Sequence, residues 1–66
     1  MCFSTVYLGN KSEGNLVLED VSRVRVSDGS IQVSSILGDD KSFEGYSIDE
    51  VNLMENYVIL KERADA

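Results

Sequence analysis

Short runs of apolar residues, many alternating with polar ones, follow one another along the chain, and nearly every run ends at a cluster of glycine, aspartate or asparagine. Alternation with a period of two places side chains on opposite faces of a strand. The first such run, Cys2 to Leu8, holds Phe3, Thr5, Val6 and Tyr7, all good strand formers. Gly9 to Gly14 is polar and turn-forming, and a second strand is expected at Asn15 to Glu19. After Asp20, Val21 to Val26 reads Val-Ser-Arg-Val-Arg-Val, a third strand. Asp28-Gly29 predicts a type I′ hairpin, because both residues tolerate positive φ. The returning strand, Ile31 to Leu37, sets Ile31, Val33, Ser35 and Leu37 on one face, and Gly38-Asp39-Asp40-Lys41 closes it with a turn. Phe43 to Tyr46 is a short extended piece interrupted by Gly45.

The next segment carries two signals. Ser47 followed by Glu50 is a helix-start signature and predicts at most one helical turn near Ile48. Val51-Asn52-Leu53 and Tyr57 to Leu60, around Met54-Glu55-Asn56, predict a final hairpin. Glu62 to Ala66 reads as a frayed polar tail. Turn signals every 8–12 residues suggest a small sandwich or barrel. With no long helix to cover its apolar face, the sheet must curl on itself or dimerise. The expected fold is all-β, with six or seven mostly antiparallel strands in one barrel-like domain over residues 1–66, forming a symmetric homodimer.

Length sharpens the case for a dimer. A chain of 66 residues buries only about 60% of its unfolded surface, a deficit that small domains offset with disulfides, metals or oligomerisation. The single cysteine excludes an internal disulfide, and the absence of histidine excludes a zinc-finger site within one chain. Oligomerisation is the device left. No apolar run approaches the roughly 18 residues of a membrane span, and no basic-then-apolar N-terminal segment marks a secretory signal. An unpaired thiol and no export signal point to the cytosol.

Net charge is −6, from twelve carboxylates and six bases. Nucleic-acid affinity comes largely from neutralising phosphates, so this balance argues against it. Arg23 and Arg25 share a strand face and read as solvated residues beside nearby acids. Catalysis finds no footing either. Without histidine there is no Ser-His or Cys-His dyad, and the five glycines sit apart rather than in a phosphate loop. Asp39-Asp40 and Asp49-Glu50 lack the spacing of a calcium loop and read as solvated turn residues. No enzyme is expected.

Cys2 is the one residue with unusual chemistry. Inside a protein a lone cysteine is ordinarily a small hydrophobe. Here a thiolate, a backbone amide and, on removal of Met1, a terminal amine lie within one residue of each other. Sulfur and nitrogen on one residue close a five-membered chelate ring. One chain offers two donors; two chains across a two-fold axis offer two sulfurs and two nitrogens. A square-planar N/S set of that kind suits nickel(II) or copper(II).

With its Met1-Cys2-Phe3 start, the Ile36-Leu37-Gly38-Asp39-Asp40-Lys41 turn and the closing Ile48-Asp49-Glu50-Val51-Asn52-Leu53 and Tyr57-Val58-Ile59-Leu60 pieces, the chain resembles the CooT-like proteins, small nickel-binding accessory factors of carbon monoxide dehydrogenase maturation. Met1-Cys2-Phe3-Ser4-Thr5-Val6-Tyr7-Leu8 is similar to the family's Met-Cys start and first strand. Leu18-Glu19-Asp20-Val21, Ile36-Leu37-Gly38-Asp39-Asp40-Lys41, Ile48-Asp49-Glu50-Val51-Asn52-Leu53 and Tyr57-Val58-Ile59-Leu60 follow in the family's order. The resemblance implies a β-rich homodimer that binds one nickel(II) ion between subunits through Cys2 of each chain. Its role would be that of a metallochaperone or nickel store for carbon monoxide dehydrogenase or another nickel enzyme.

An alternative is a small β-barrel RNA-binding module without a metal role. That would need stacking aromatics beside a basic groove, whereas Phe3, Tyr7, Phe43, Tyr46 and Tyr57 are scattered along the chain. A third reading is an interaction domain that binds a protein partner along an exposed strand edge.

Overall fold

The structure, a computed structural model, describes residues 3–63. Six strands make one sheet: β1 (Ser4–Leu8), β2 (Leu16–Ser27), β3 (Ser30–Ser35), β4 (Asp40–Glu44), β5 (Tyr46–Asn52) and β6 (Tyr57–Glu62). A single 3₁₀ turn at Glu13–Asn15 is the only helical element among the described residues. The strand order is β4-β3-β2-β1-β6-β5, antiparallel throughout except for the parallel pair β1–β6. The expected all-β, mostly antiparallel domain is the fold observed.

β2 joins the two halves of the sheet. Its residues 16–21 pair with β1, and residues 21–27 pair with β3. Between them the ladder slips: residues 18–21 of β2 take three steps where β1 takes two from Ser4 to Val6. Asp20 sits at this bulge with φ 57°, a conformation that aspartate tolerates better than most residues. The bulge bends the strand, so the second and third expected strands are one bent strand. At Asp28-Gly29 both residues have positive φ, as the type I′ turn requires, and Ser27 lies opposite Ser30.

Glu44 lies opposite Ser30 at that hairpin tip, yet Tyr46, two residues on, pairs with Glu62 of β6. The hairpin must therefore fold back over β1 and β6 for its tip to reach them. Two bonds fasten this corner: the Gly45 N–H donates to the Gly29 carbonyl (3.0 Å), and the Arg63 N–H donates to the Gly45 carbonyl (2.8 Å). Between the folded halves lies the core of Val6, Val21, Ile31, Val33, Val58 and Leu60. Burying each such side chain contributes about 1.5–3 kcal/mol. The sheet curls in a barrel-like way but does not close, because no ladder joins its edge strands β4 and β5 among the described residues.

Further expectations need correction. No helical turn forms near Ile48; β5 runs through it, with Ser47 opposite Lys61 and Ile48 opposite Leu60. Pairing outcompetes the cap, and Glu50 accepts a hydrogen bond from the Tyr57 hydroxyl (2.8 Å) instead of capping a helix. The strand expected to reach Leu37 stops at Ser35. Ser35 Oγ accepts bonds from the N–H groups of Leu37 (3.2 Å) and Asp39 (3.1 Å), which turns the chain early. Leu37 leaves the core face and is 77% exposed, while Asp40 and Lys41, expected in a turn, begin β4. Cys2, at the expected start of the first strand, and the tail beyond Arg63 lie outside the described residues.

Candidate functional site

Cys2 lies outside the described residues, but the strand it leads into is well defined. Ser4 faces Val21 of β2, and Val21 in turn faces Ser35 of β3. On the other side the Thr5 N–H donates to the Asn56 carbonyl (3.0 Å), and Tyr57 faces Asn52. One end of the sheet therefore gathers the start of β1, the bulge of β2, the β3–β4 turn and the β5–β6 turn. The two turns expose Leu37 (77%), Leu53 (82%) and Met54 (90%), with Ile36 half exposed beside them. The β3–β4 turn is tied by Ser35, and the β5–β6 turn by Asn52, whose Oδ1 accepts bonds from the N–H groups of Met54 (3.0 Å) and Glu55 (2.7 Å). Both turns thus hold their apolar side chains outward on bonded backbones.

Among the described residues no group of three or more histidines, cysteines, aspartates or glutamates could hold a metal ion. Asp49 pairs with Lys61 (3.4 Å), and Glu50 is engaged by Tyr57, so this acidic pair is part of the strand surface. No helix of the described residues is long and apolar enough to cross a membrane.

A polar cluster that sequence reasoning missed covers the outer face of β1, β6 and β5. Tyr57 packs edge-on against Tyr7, ring centroids 6.2 Å apart. Lys11 lies 4.8 Å from the centre of the Tyr57 ring and pairs with Glu55 (3.0 Å). The hydrogen bond to Glu50 raises the pKa of Tyr57 above its ordinary value, and the bond to Glu55 does the same for Lys11. The register across the last hairpin, which sets Asn52 opposite Tyr57, was the available signal.

The RNA-binding alternative finds no support. Among the described residues the ring pairs are Tyr7–Tyr57 and Phe43–Tyr46. Arg23 and Arg25 are exposed opposite Ser34 and Gln32, on the other half of the sheet from the tyrosine pair. The base that lies over the tyrosine pair, Lys11, is itself paired with Glu55 (3.0 Å).

Residues 1–61 match the family described as CO dehydrogenase accessory protein CooT. A crystal structure assigned to CooT from Carboxydothermus hydrogenoformans is similar with a TM-score of 0.78 at 22% identity, covering 97% of this chain and 100% of that one. At that identity the likeness is one of fold. No curated protein matches the sequence.

Proposed function

Since the chain belongs to the CooT family of CO dehydrogenase accessory proteins, we propose that it carries or stores nickel(II), binding one ion per homodimer through Cys2 of each protomer. As a member of an accessory family it assists an enzyme and is not one itself. Nickel is its cargo, and the client is CO dehydrogenase or another nickel enzyme. A cytosolic setting keeps the thiol reduced.

The observation that carries this reading is the apolar end of the sheet. The strand that follows Cys2 starts at the same end of the sheet as the turns carrying Leu37, Leu53 and Met54, the three most exposed large apolar residues described. A second copy seated on that end covers them and brings two cysteines to one axis. The donor count points the same way: with no histidine and one thiol per chain, a soft-donor site needs two chains. Two thiolates with two main-chain nitrogens suit nickel(II).

Nickel titration of the full chain, with light scattering for mass, tests the proposal. Binding saturates at one ion per two chains, Cys2→Ser abolishes it without disturbing the fold, and the Leu53→Glu/Met54→Glu protein is monomeric. Undiminished binding by the Cys2→Ser protein overturns the metal site. A wild-type monomer overturns the dimer.

A further inference from the structure

The sheet's two edge strands, β4 and β5, are consecutive in the chain and joined by Gly45 alone, yet they do not pair. Each leaves the Gly45 corner with one edge unpaired, and this break in the ladder is the seam of the sheet. At the apex Phe43 and Tyr46 meet edge to face, 5.7 Å between centroids. Beyond it, the register gives each wall two distinct faces.

The core-facing side of the seam is apolar on β5. Ile48 lies opposite Leu60, and Val51 opposite Val58, both partners being buried core residues. Directly opposed residues point to the same face of a sheet, so Ile48 and Val51 face the core side. They are nevertheless 39% and 48% exposed, because no strand lies beyond β5 to cover them. On the solvent side, β4 presents Asp40, Ser42 and Glu44, the residues opposite Ser34, Gln32 and Ser30. β5 presents Glu50 and Asn52 there, opposite Ile59 and Tyr57. On that face the two edge strands carry carboxylates and neutral polar groups; Lys61 of the neighbouring β6 is held by Asp49 (3.4 Å), and on the core-facing side β4 presents Phe43 and Lys41, opposite Ile31 and Val33.

We propose that the seam is a docking site for an extended segment of a partner protein, with apolar residues alternating with lysine or arginine. Such a strand adds to the open edge through main-chain hydrogen bonds. Its apolar side chains cover Ile48 and Val51, and its basic side chains meet Asp40, Glu44 and Glu50. An edge left open needs protection or a partner. The Asp49 bulge interrupts β5 at one point, while β4 runs without a break in register. The site uses neither Cys2 nor the apolar turns, so it is independent of nickel binding.

The test uses isotope-labelled full-length protein and a synthetic peptide of alternating lysine and valine, matched to the seven residues of β5, with a glutamate–valine peptide as control. NMR titration with the basic peptide shifts the amides of β4 and β5 together and slows their hydrogen exchange at least tenfold. Raising the salt weakens binding, the Asp40→Lys/Glu44→Lys protein binds at least tenfold more weakly, and Cys2→Ser protein binds as the wild type does. Shifts confined to other strands, equal binding of the acidic peptide, or affinity indifferent to salt overturn the proposal. So do shifts of the same amides on raising protein concentration alone, which assign the seam to a second copy. The salt and control-peptide arms decide the matter even where the charge-reversed protein fails to fold.

Discussion

Phe43 and Tyr46 touch edge to face across Gly45, ring centroids 5.7 Å apart, although they belong to opposite edges of the six-stranded sheet. A one-residue link between two edges forces the sheet to curl, and the ring pair packs the corner where it does so.

Gly45 makes that corner with φ +78°, and a Cβ added there meets nothing within 4 Å. The cost of Gly45→Ala is therefore backbone strain alone, about 1–2 kcal/mol for a left-handed residue with a side chain. The midpoint of urea unfolding falls while the slope is unchanged. An unchanged midpoint removes the claim that the corner needs glycine.

Ser35 ends β3 by accepting two backbone N–H bonds with its hydroxyl. Ser35→Ala leaves the Leu37 and Asp39 donors without that partner, at about 1–2 kcal/mol. Hydrogen exchange at these two amides quickens more than at β6. Uniform quickening across the sheet would show that Ser35 acts only through global stability.

Tyr57 donates its hydroxyl proton to Glu50, and this bond raises its pKa. A group with a raised folded pKa stabilises the fold fully below its unfolded pKa, about 10 for tyrosine, and loses that contribution as pH rises through the folded value. Lys11, raised by its bond to Glu55, loses its contribution in the same direction. NMR titration of the Tyr57 ring gives a midpoint above that of free tyrosine, and Glu50→Ala lowers it. A midpoint that Glu50→Ala leaves in place rules out the hydrogen bond as the cause.

Local chemistry was readable wherever neighbours in sequence are also partners in space. The Asp28-Gly29 hairpin and the last hairpin formed as expected, since turn residues and alternation act over a few positions. The core face of β3 followed from alternation as far as Ser35, where a side-chain bond intervened. The helix-start signature at Ser47 misled because it weighs one local cap and cannot see β6, whose ladder fixed the segment as strand. Of the candidate site, the sequence names the thiol. The apolar end became visible only once Ser4, Ser35 and Asn52 were placed in adjoining rows of the sheet.

By itself, the sequence determined an acidic all-β domain with its hairpins and a single thiol. Those properties depend on residue type and short-range pattern. Only the tertiary structure decided that the first strand lies parallel to the last, that β2 bends at Asp20 to serve both halves, and that a seam stays open between β4 and β5. These depend on contacts between residues far apart in the chain, where burial of a shared core outweighs local preference. A period of two marks which side chains point inward and leaves open which strands meet.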